Sequence, residues 1–325
     1  MPSRRHFHAA LFAAALAGAG IGSSRADTVY PSRPITLVVG FSAGSSIDMV
    51  ARAVAQRLGE KLGQAVVVEN RAGAGGNVAA QQVAQATPDG YRLLVVANSI
   101  AIGPAIYDDL KFDVKKDLRG IAYIGAGPVI LKVSAGKGID SLPALVREAK
   151  AHPGKLNFGS SGVGGTPHMA AELFDQVAGI RMTHIPYKGG SDALTALMAG
   201  EIDVLINPLL GDVSSDKVKS LAVSGSARSP QAPDVPTFAE LGYPSYDMNV
   251  YYGLMGPSGL PDDIVAKLNR TVNEVLAMPS LVDALTTRSG IVLRPGSASE
   301  FQGFIAKDVE RWQTVVRNDK RILAR

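Results

Sequence analysis

The chain has 325 residues, no cysteine and a formal charge of +4. Without cysteine there is no thiol catalysis, no disulfide and no cysteine-based zinc site. Arg4, Arg5 and Arg25 account for three of the positive charges. The remainder, at +1, gives no electrostatic reason to bind nucleic acid or an anionic membrane surface.

The first 26 residues read as an export signal rather than as part of the fold. Ser3-Arg4-Arg5-His6-Phe7 precedes an apolar, Ala- and Gly-rich run at 9–21, and Ser24-Arg25-Ala26 offers a small-x-small cleavage site before Asp27. The paired arginines make it twin-arginine-like; an ordinary secretory signal is the alternative. The run is too short and too weakly apolar for a membrane anchor. Cleavage near Ala26 would deliver the chain to a bacterial periplasm, where a protein with a large core folds without disulfide staples.

Residues 34–62 hold the unit from which the chain is built. Pro-Ile-Thr-Leu-Val-Val-Gly-Phe is a continuous, β-branched apolar run, as expected of a strand buried on both faces. Phe41, Ser42, Ala43, Gly44, Ser45 and Ser46 form a loop of mostly small residues. Ile47, Val50, Ala51, Val54, Leu58 and Leu62 then fall on one helical stripe. Ser45 is expected as N-cap, with Asp48 three residues on as the acid of a capping box. A strand ending at such a loop and turning into a helix presents amide N–H groups to an anion. An ordinary βα turn has the same pattern, and this stretch alone leaves both readings standing.

The unit recurs. A strand at 64–69 leads to the loop Asn70-Arg-Ala-Gly-Ala-Gly-Gly-Asn77 and a helix; Pro88-Asp89-Gly90 is a turn; residues 91–97 form a buried strand followed by Asn98 and Ser99. Such units predict a mostly parallel sheet. Ligands of these sheets sit beyond the carboxyl ends of the strands, where Asn98 and Ser99 fall.

Residues 121–133 are long, extended and broken by glycine, and read as a strand crossing between lobes. A helix at 141–151 is capped by Ser141, with Pro143 in its first turn. A strand at 155–158 runs into Ser160, Ser161, Gly162, Val163, Gly164, Gly165 and Thr166, with Thr166 expected as N-cap and Pro167 as first helical residue. Strands are expected at 181–186, 202–206 and 220–224 and a short helix at 191–199. Residues 228–244 should be irregular. A strand at 249–256 could cross back, and helices at 261–278 and 299–318 complete the first lobe. The chain thus reads as two α/β lobes joined by two crossing strands: 27–124 with 251–325, and 125–250. Gly125, Gly127 and Gly253 lie where a hinge would rotate.

Other constellations are weaker. The 159–166 loop lacks the Gly-Lys-Ser/Thr ending of a P-loop, and Gly73-Ala-Gly-Gly is no dinucleotide fingerprint. Gly159-Ser-Ser-Gly is one residue short of a hydrolase elbow. His168 and His184 read as structural, and no ligand set for a metal accompanies them. No cofactor is expected. Ser160, Ser161 and Thr166 are better suited to donate hydrogen bonds to an anion. Tyr187 and Lys188 follow a strand that should end at the same cleft; Lys188 either steers an anion or is a solvated surface lysine.

Several segments together carry a family pattern: Tyr30-Pro-Ser-Arg-Pro-Ile, Val66-Val-Val-Glu-Asn-Arg-Ala-Gly-Ala-Gly-Gly-Asn77, Ala86-Thr-Pro-Asp-Gly-Tyr91, Pro153-Gly-Lys-Leu-Asn-Phe-Gly-Ser-Ser-Gly162, Pro186-Tyr-Lys-Gly-Gly190 and Arg228-Ser-Pro-Gln-Ala-Pro-Asp-Val-Pro-Thr237. In order and spacing the chain resembles the Bug/TctC family of periplasmic solute receptors associated with tripartite tricarboxylate transporters. The resemblance implies a type II periplasmic-binding-protein fold that closes on a small organic acid, with no catalytic activity. The partner would be the membrane permease subunits of such a transporter, or else a sensor protein, and the receptor itself a monomer. It further implies that residues 41–46 and 160–166 are pincers on the ligand carboxylate, partly through ordered water. Two departures stand out. The family's usual Pro-Pro-Gly-Gly is Ser42-Ala43-Gly44-Ser45 here, a more polar and flexible pincer. Its frequent Asp-Asn after the strand ending at Ile206 is Asn207-Pro208, which removes a partner for an amino-acid ammonium. The segment at 209–219 is also shorter than usual.

Overall fold

The computed structural model describes residues 30–209, 214–318 and 322. The expected export signal and part of the short segment after Leu209 lie outside them. Among the described residues no helix is long and apolar enough to cross a membrane.

The first half-sheet grows from β1 (Ile35–Val39), parallel to both β2 (Val66–Asn70) and β3 (Arg92–Val96). Ile35, Leu37, Val38 and Val39 have no exposed surface, as a strand covered on both faces requires. Helix α1 (Ser46–Leu62) follows β1, and its stripe Ile47, Val50, Ala51, Val54 and Leu58 is buried against the sheet. Helix α2 (Asn77–Ala84) follows β2. Helix α3 (Ser99–Ile106) follows β3, although Gly103 and Pro104 argue against a helix there. Burial of its first five residues overrides that local preference.

After a short α4 (Val114–Asp117) comes β4 (Leu118–Ser134), seventeen residues long. From Leu118 to Pro128 it pairs antiparallel with β9 (Asn249–Pro257), which also pairs antiparallel with β3. From Val129 onward the same strand pairs with β7 (Val204–Pro208) and β8 (Val218–Val223). The second half-sheet is completed by β5 (Asn157–Ser160), parallel to β6 (Thr183–Pro186) and to β7. Helix α5 (Leu142–Ala151) precedes β5, with Ser141 Oγ accepting from the Ala144 amide at 3.4 Å. Helices α6 (Thr166–Ala178) and α7 (Gly190–Ala199) follow β5 and β6. α8 (Asp262–Leu276), a short α9 (Pro279–Val282), β10 (Val292–Leu293) and α10 (Ala298–Asn318) return to cover the first half-sheet.

The mostly parallel sheet expected from the βα pattern is thus confined to the flanks. The centre is antiparallel, because β4 and β9 pass between the half-sheets in opposite directions. The hinge glycines also have another role. A Cβ at Gly125 would lie 2.5 Å from the Val292 carbonyl oxygen, and one at Gly253 would overlap the Phe301 ring. These glycines admit β10 and α10 against the crossing strands.

Gly253→Ala should therefore lower stability by about 1–3 kcal/mol through overpacking. Gly303→Ala, in α10 with nothing near its Cβ position, should raise stability by about 0.5–1 kcal/mol through helix propensity. Urea melts of the two variants against the parent measure both.

Candidate functional site

The parallel strands of both half-sheets end at one gap, and a cavity of about 260 Å³ occupies it. After β1 its wall is made by Phe41, Gly44, Ser45, Ser46, Ile47 and Met49, and after β3 by Ala97. The second half contributes Ser161, Thr166 and Pro167 after β5, Gly190, Ser191 and Leu194 from α7, and Asn207-Pro208 at the end of β7. Lys132 of β4 and Val250 of β9 complete it. Helices α1, α6 and α7 all begin here. Each leaves its first N–H groups without intrahelical acceptors and turns the positive end of its dipole to the cavity.

The expected capping box does not form. Ser45 occupies the N-cap position of α1, but its side chain accepts no cap hydrogen bond. Asp48, only 2 % exposed, reaches past it. Its Oδ2 accepts the Gly44 amide at 2.9 Å and the Arg52 guanidinium at 2.9 Å, while Oδ1 accepts the Asn70 side-chain amide at 2.8 Å. Burial pushes the Asp48 carboxyl up, but these three donors outweigh it and hold it below its usual value. With Asp48 bracing the loop, Ser45 Oγ is left buried with no protein partner, on the cavity wall.

The second loop differs from expectation in the same way. Gly165 is the N-cap of α6, and Thr166 lies inside the helix, where its Oγ1 donates to Asn98 Oδ1 at 3.5 Å. The amides of Gly162, Gly164 and Gly165 are taken by Ser160 Oγ, His168 Nδ1 and the Gly162 carbonyl. Gly162 and Gly164 have φ of 102° and 72°, so the loop's shape depends on glycine. Ser160 has no exposed surface and shares a 2.6 Å hydrogen bond with His184 Nε2. His184 stacks on Phe158 with ring centroids 4.9 Å apart and lies tilted against His168 at 4.2 Å, so both histidines buttress the loop from behind. The cavity therefore meets Ser161 and Thr166, while Ser160, Gly162, Val163, Gly164 and Gly165 form their support.

The remaining predicted positions divide as follows. Asn98 is a brace: Nδ2 donates to the Asn249 carbonyl at 3.0 Å, and Oδ1 accepts the Tyr251 amide at 3.2 Å. Ser99 Oγ lies near Gly76, after β2. Ser42 Oγ lies against Gly189, and Gly75 against the Val163 carbonyl, which also accepts from Tyr107 Oη at 2.9 Å. The rims of the two halves thus touch across the gap. Ala43 and Lys188 are exposed and Tyr187 half-buried, and none of the three lines the cavity. Sequence reasoning passed over Lys132, which is 3 % exposed. Its signal is a lone charge in the apolar run Val-Ile-Leu-Lys-Val. Among the described residues it is the one ionisable group on the cavity wall.

A two-lobed α/β chain with a ligand-sized cavity between strand ends is the architecture of a periplasmic binding protein. Residues 50–320 match the tripartite tricarboxylate transporter family receptor, TctC, and the chain belongs to that family. It is 36 % identical to BugT of Bordetella pertussis (strain Tohama I) over 309 residues, 93 % of this chain and 94 % of BugT. It is also similar to the structure of the periplasmic binding protein BugD, with a TM-score of 0.85, 28 % identity and coverage of 89 % of this chain and 98 % of BugD. MatC from Rhodopseudomonas palustris, solved with bound malate, gives a TM-score of 0.84, 31 % identity and coverage of 88 % and 100 %.

Asp48→Asn should lower stability by about 1–3 kcal/mol at neutral pH, since one buried oxygen is exchanged for a donor facing donors. The folded-state carboxyl is depressed, so its contribution is complete above the unfolded value near ~3.9 and is lost as pH falls through the folded value. The difference between parent and variant in urea midpoint should shrink below about pH 4.

Proposed function

We propose that this chain is a periplasmic receptor that captures a small carboxylate between its lobes and passes it to membrane permease subunits of a tripartite transporter. The proposed lobes are residues 27–124 with 251–325, and 125–250, hinged near Gly125, Gly127 and Gly253. Cleavage near Ala26 would release a monomeric receptor into the periplasm. Presentation of the ligand to a sensor protein is the alternative fate.

The observation that carries this reading is the chemistry of the cavity wall. It offers the unpartnered Ser45 hydroxyl, Ser161 and Thr166, three helix N-termini and a lysine, and among the described residues no aspartate or glutamate. Such a wall favours an anion and rejects a cation. Among the described residues a free amino acid would find no carboxylate on this wall to receive its ammonium, in line with Asn207-Pro208 standing where the family resemblance leads one to expect Asp-Asn. Binding rather than catalysis is supported by Ser160. Its pairing with His184 has the form of a nucleophile and base, yet the hydroxyl is sealed from the cavity. The malate held by MatC belongs to the same ligand class.

Thermal unfolding of the mature chain with mono-, di- and tricarboxylates tests this. A ligand at one hundred times its dissociation constant should add about 2.7 kcal/mol. Ser45→Ala should leave the unliganded protein within about 0.5 kcal/mol of the parent and lower ligand affinity about tenfold, the worth of one hydrogen bond to a charged oxygen. Stabilisation by sugars or nucleotides alone would reject the assignment. So would aspartate or glutamate stabilising more than the matching acids without an amino group.

A further inference from the structure

We propose that Lys132 sets the specificity of this receptor by taking the second carboxylate of a dicarboxylic acid whose first carboxylate lies among the hydroxyls and amides at the helix ends. This rests on the carboxylate reading above and narrows it.

Lys132 sits in the interior of β4, paired on one side with β7 and on the other with β8. Its neighbours Val129, Ile130, Leu131 and Val133 have no exposed surface. An apolar side chain would pack in such a strand without desolvating a charge, and lysine is almost never this buried unless its ammonium is engaged, as that of Lys132 is within the protein. The pairing of β4 with β8 slips by one residue here, with Leu131 opposite Ala222 but Lys132 opposite Ser220. Irregularities of this kind re-aim side chains beside sites. An ammonium has three donors, so a bond within the protein leaves others for a ligand oxygen.

The geometry separates Lys132 from the first cradle by element. Ser45 and Ser161 come from loops after β1 and β5; Lys132 rises from the crossing strand that floors the cavity. Asn207 accompanies it. Ile130 pairs with Asn207 and Lys132 with Leu205, which puts Lys132 and Asn207 diagonally on one face of the sheet. Asn207 Oδ1 is buried without a protein partner. Phe41 and Leu194, on the same cavity wall, offer apolar surface to a methylene spacer. A monocarboxylate would fill the first cradle and leave only its alkyl chain for the Lys132 end of the cavity. A dicarboxylate would satisfy both ends.

Isothermal titration of the mature chain with length-matched pairs tests this: succinate against butyrate, glutarate against valerate, adipate against caproate. In at least one pair the diacid should bind more tightly by about tenfold or more, the worth of one charge-assisted bond. Lys132→Met should abolish that preference by weakening the diacid while leaving the monoacid within about threefold. Ser45→Ala should weaken both. If the parent binds monoacids as well as diacids in every pair, the proposal falls while the carboxylate reading stands, and this arm needs no variant to fold. If Lys132→Met weakens both acids equally, Lys132 is structural and the proposal falls. If no carboxylate binds the parent, both fall.

Discussion

The structure depends on one strand being hydrogen-bonded in two half-sheets. β4 keeps β9 as its partner as far as Pro128 and exchanges it for β7 and β8 from Val129. A strand cannot change partners without moving into a different sheet neighbourhood, and this exchange turns the carboxyl ends of β1 and β3 toward those of β5, β6 and β7. The small-residue loops that each βα unit needs for its own turn are thereby collected around one gap. Position does the rest: three helix starts that would each be unremarkable alone share one cavity.

Within that frame the site is made by side chains that decline their local role. A serine at an N-cap ordinarily spends its hydroxyl on the helix. Here Asp48 accepts the loop amide instead, with Arg52 compensating its charge, and Ser45 Oγ stays unpartnered. On the opposite side Ser160 holds its own loop together through His184, which leaves Ser161 to face the cavity. Local sequence rules fail at both places in the direction expected of a functional site, where a polar group is withheld from the fold.

Much of this architecture is legible in the sequence. The apolar runs, the helix stripes and the hydroxyl-rich loops locate nearly every element, and the crossing strands stand out by length and glycine content. Two things are not legible. One is rotation within a loop: which of Ser42, Ser45 and Ser46, or of Ser160 and Ser161, turns inward depends on contacts from Asn70, His184 and Arg52, outside the loops themselves. The other is Lys132, because a single lysine in an apolar strand reads as a fault in the pattern until the sheet puts it against a cavity. Helix α3 escapes for a related reason, since Gly103 and Pro104 speak against a helix that burial enforces.

The rim contacts join these observations to binding. Ser42 meets Gly189, Gly75 meets Val163, and Tyr107 and Asn98 reach residues of the other half. Contacts of this size are individually weak, and two of them are hydrogen bonds that water would replace on opening. Their sum is set against the cost of burying the Ser45 hydroxyl without a partner. On the proposed reading, an anion in the cavity would change that balance by accepting from the hydroxyl while the surrounding walls exclude water and strengthen the interaction. On that reading the hydroxyl that makes the empty cavity unfavourable is also one that would recognise its occupant, so closure and anion selection would be one event.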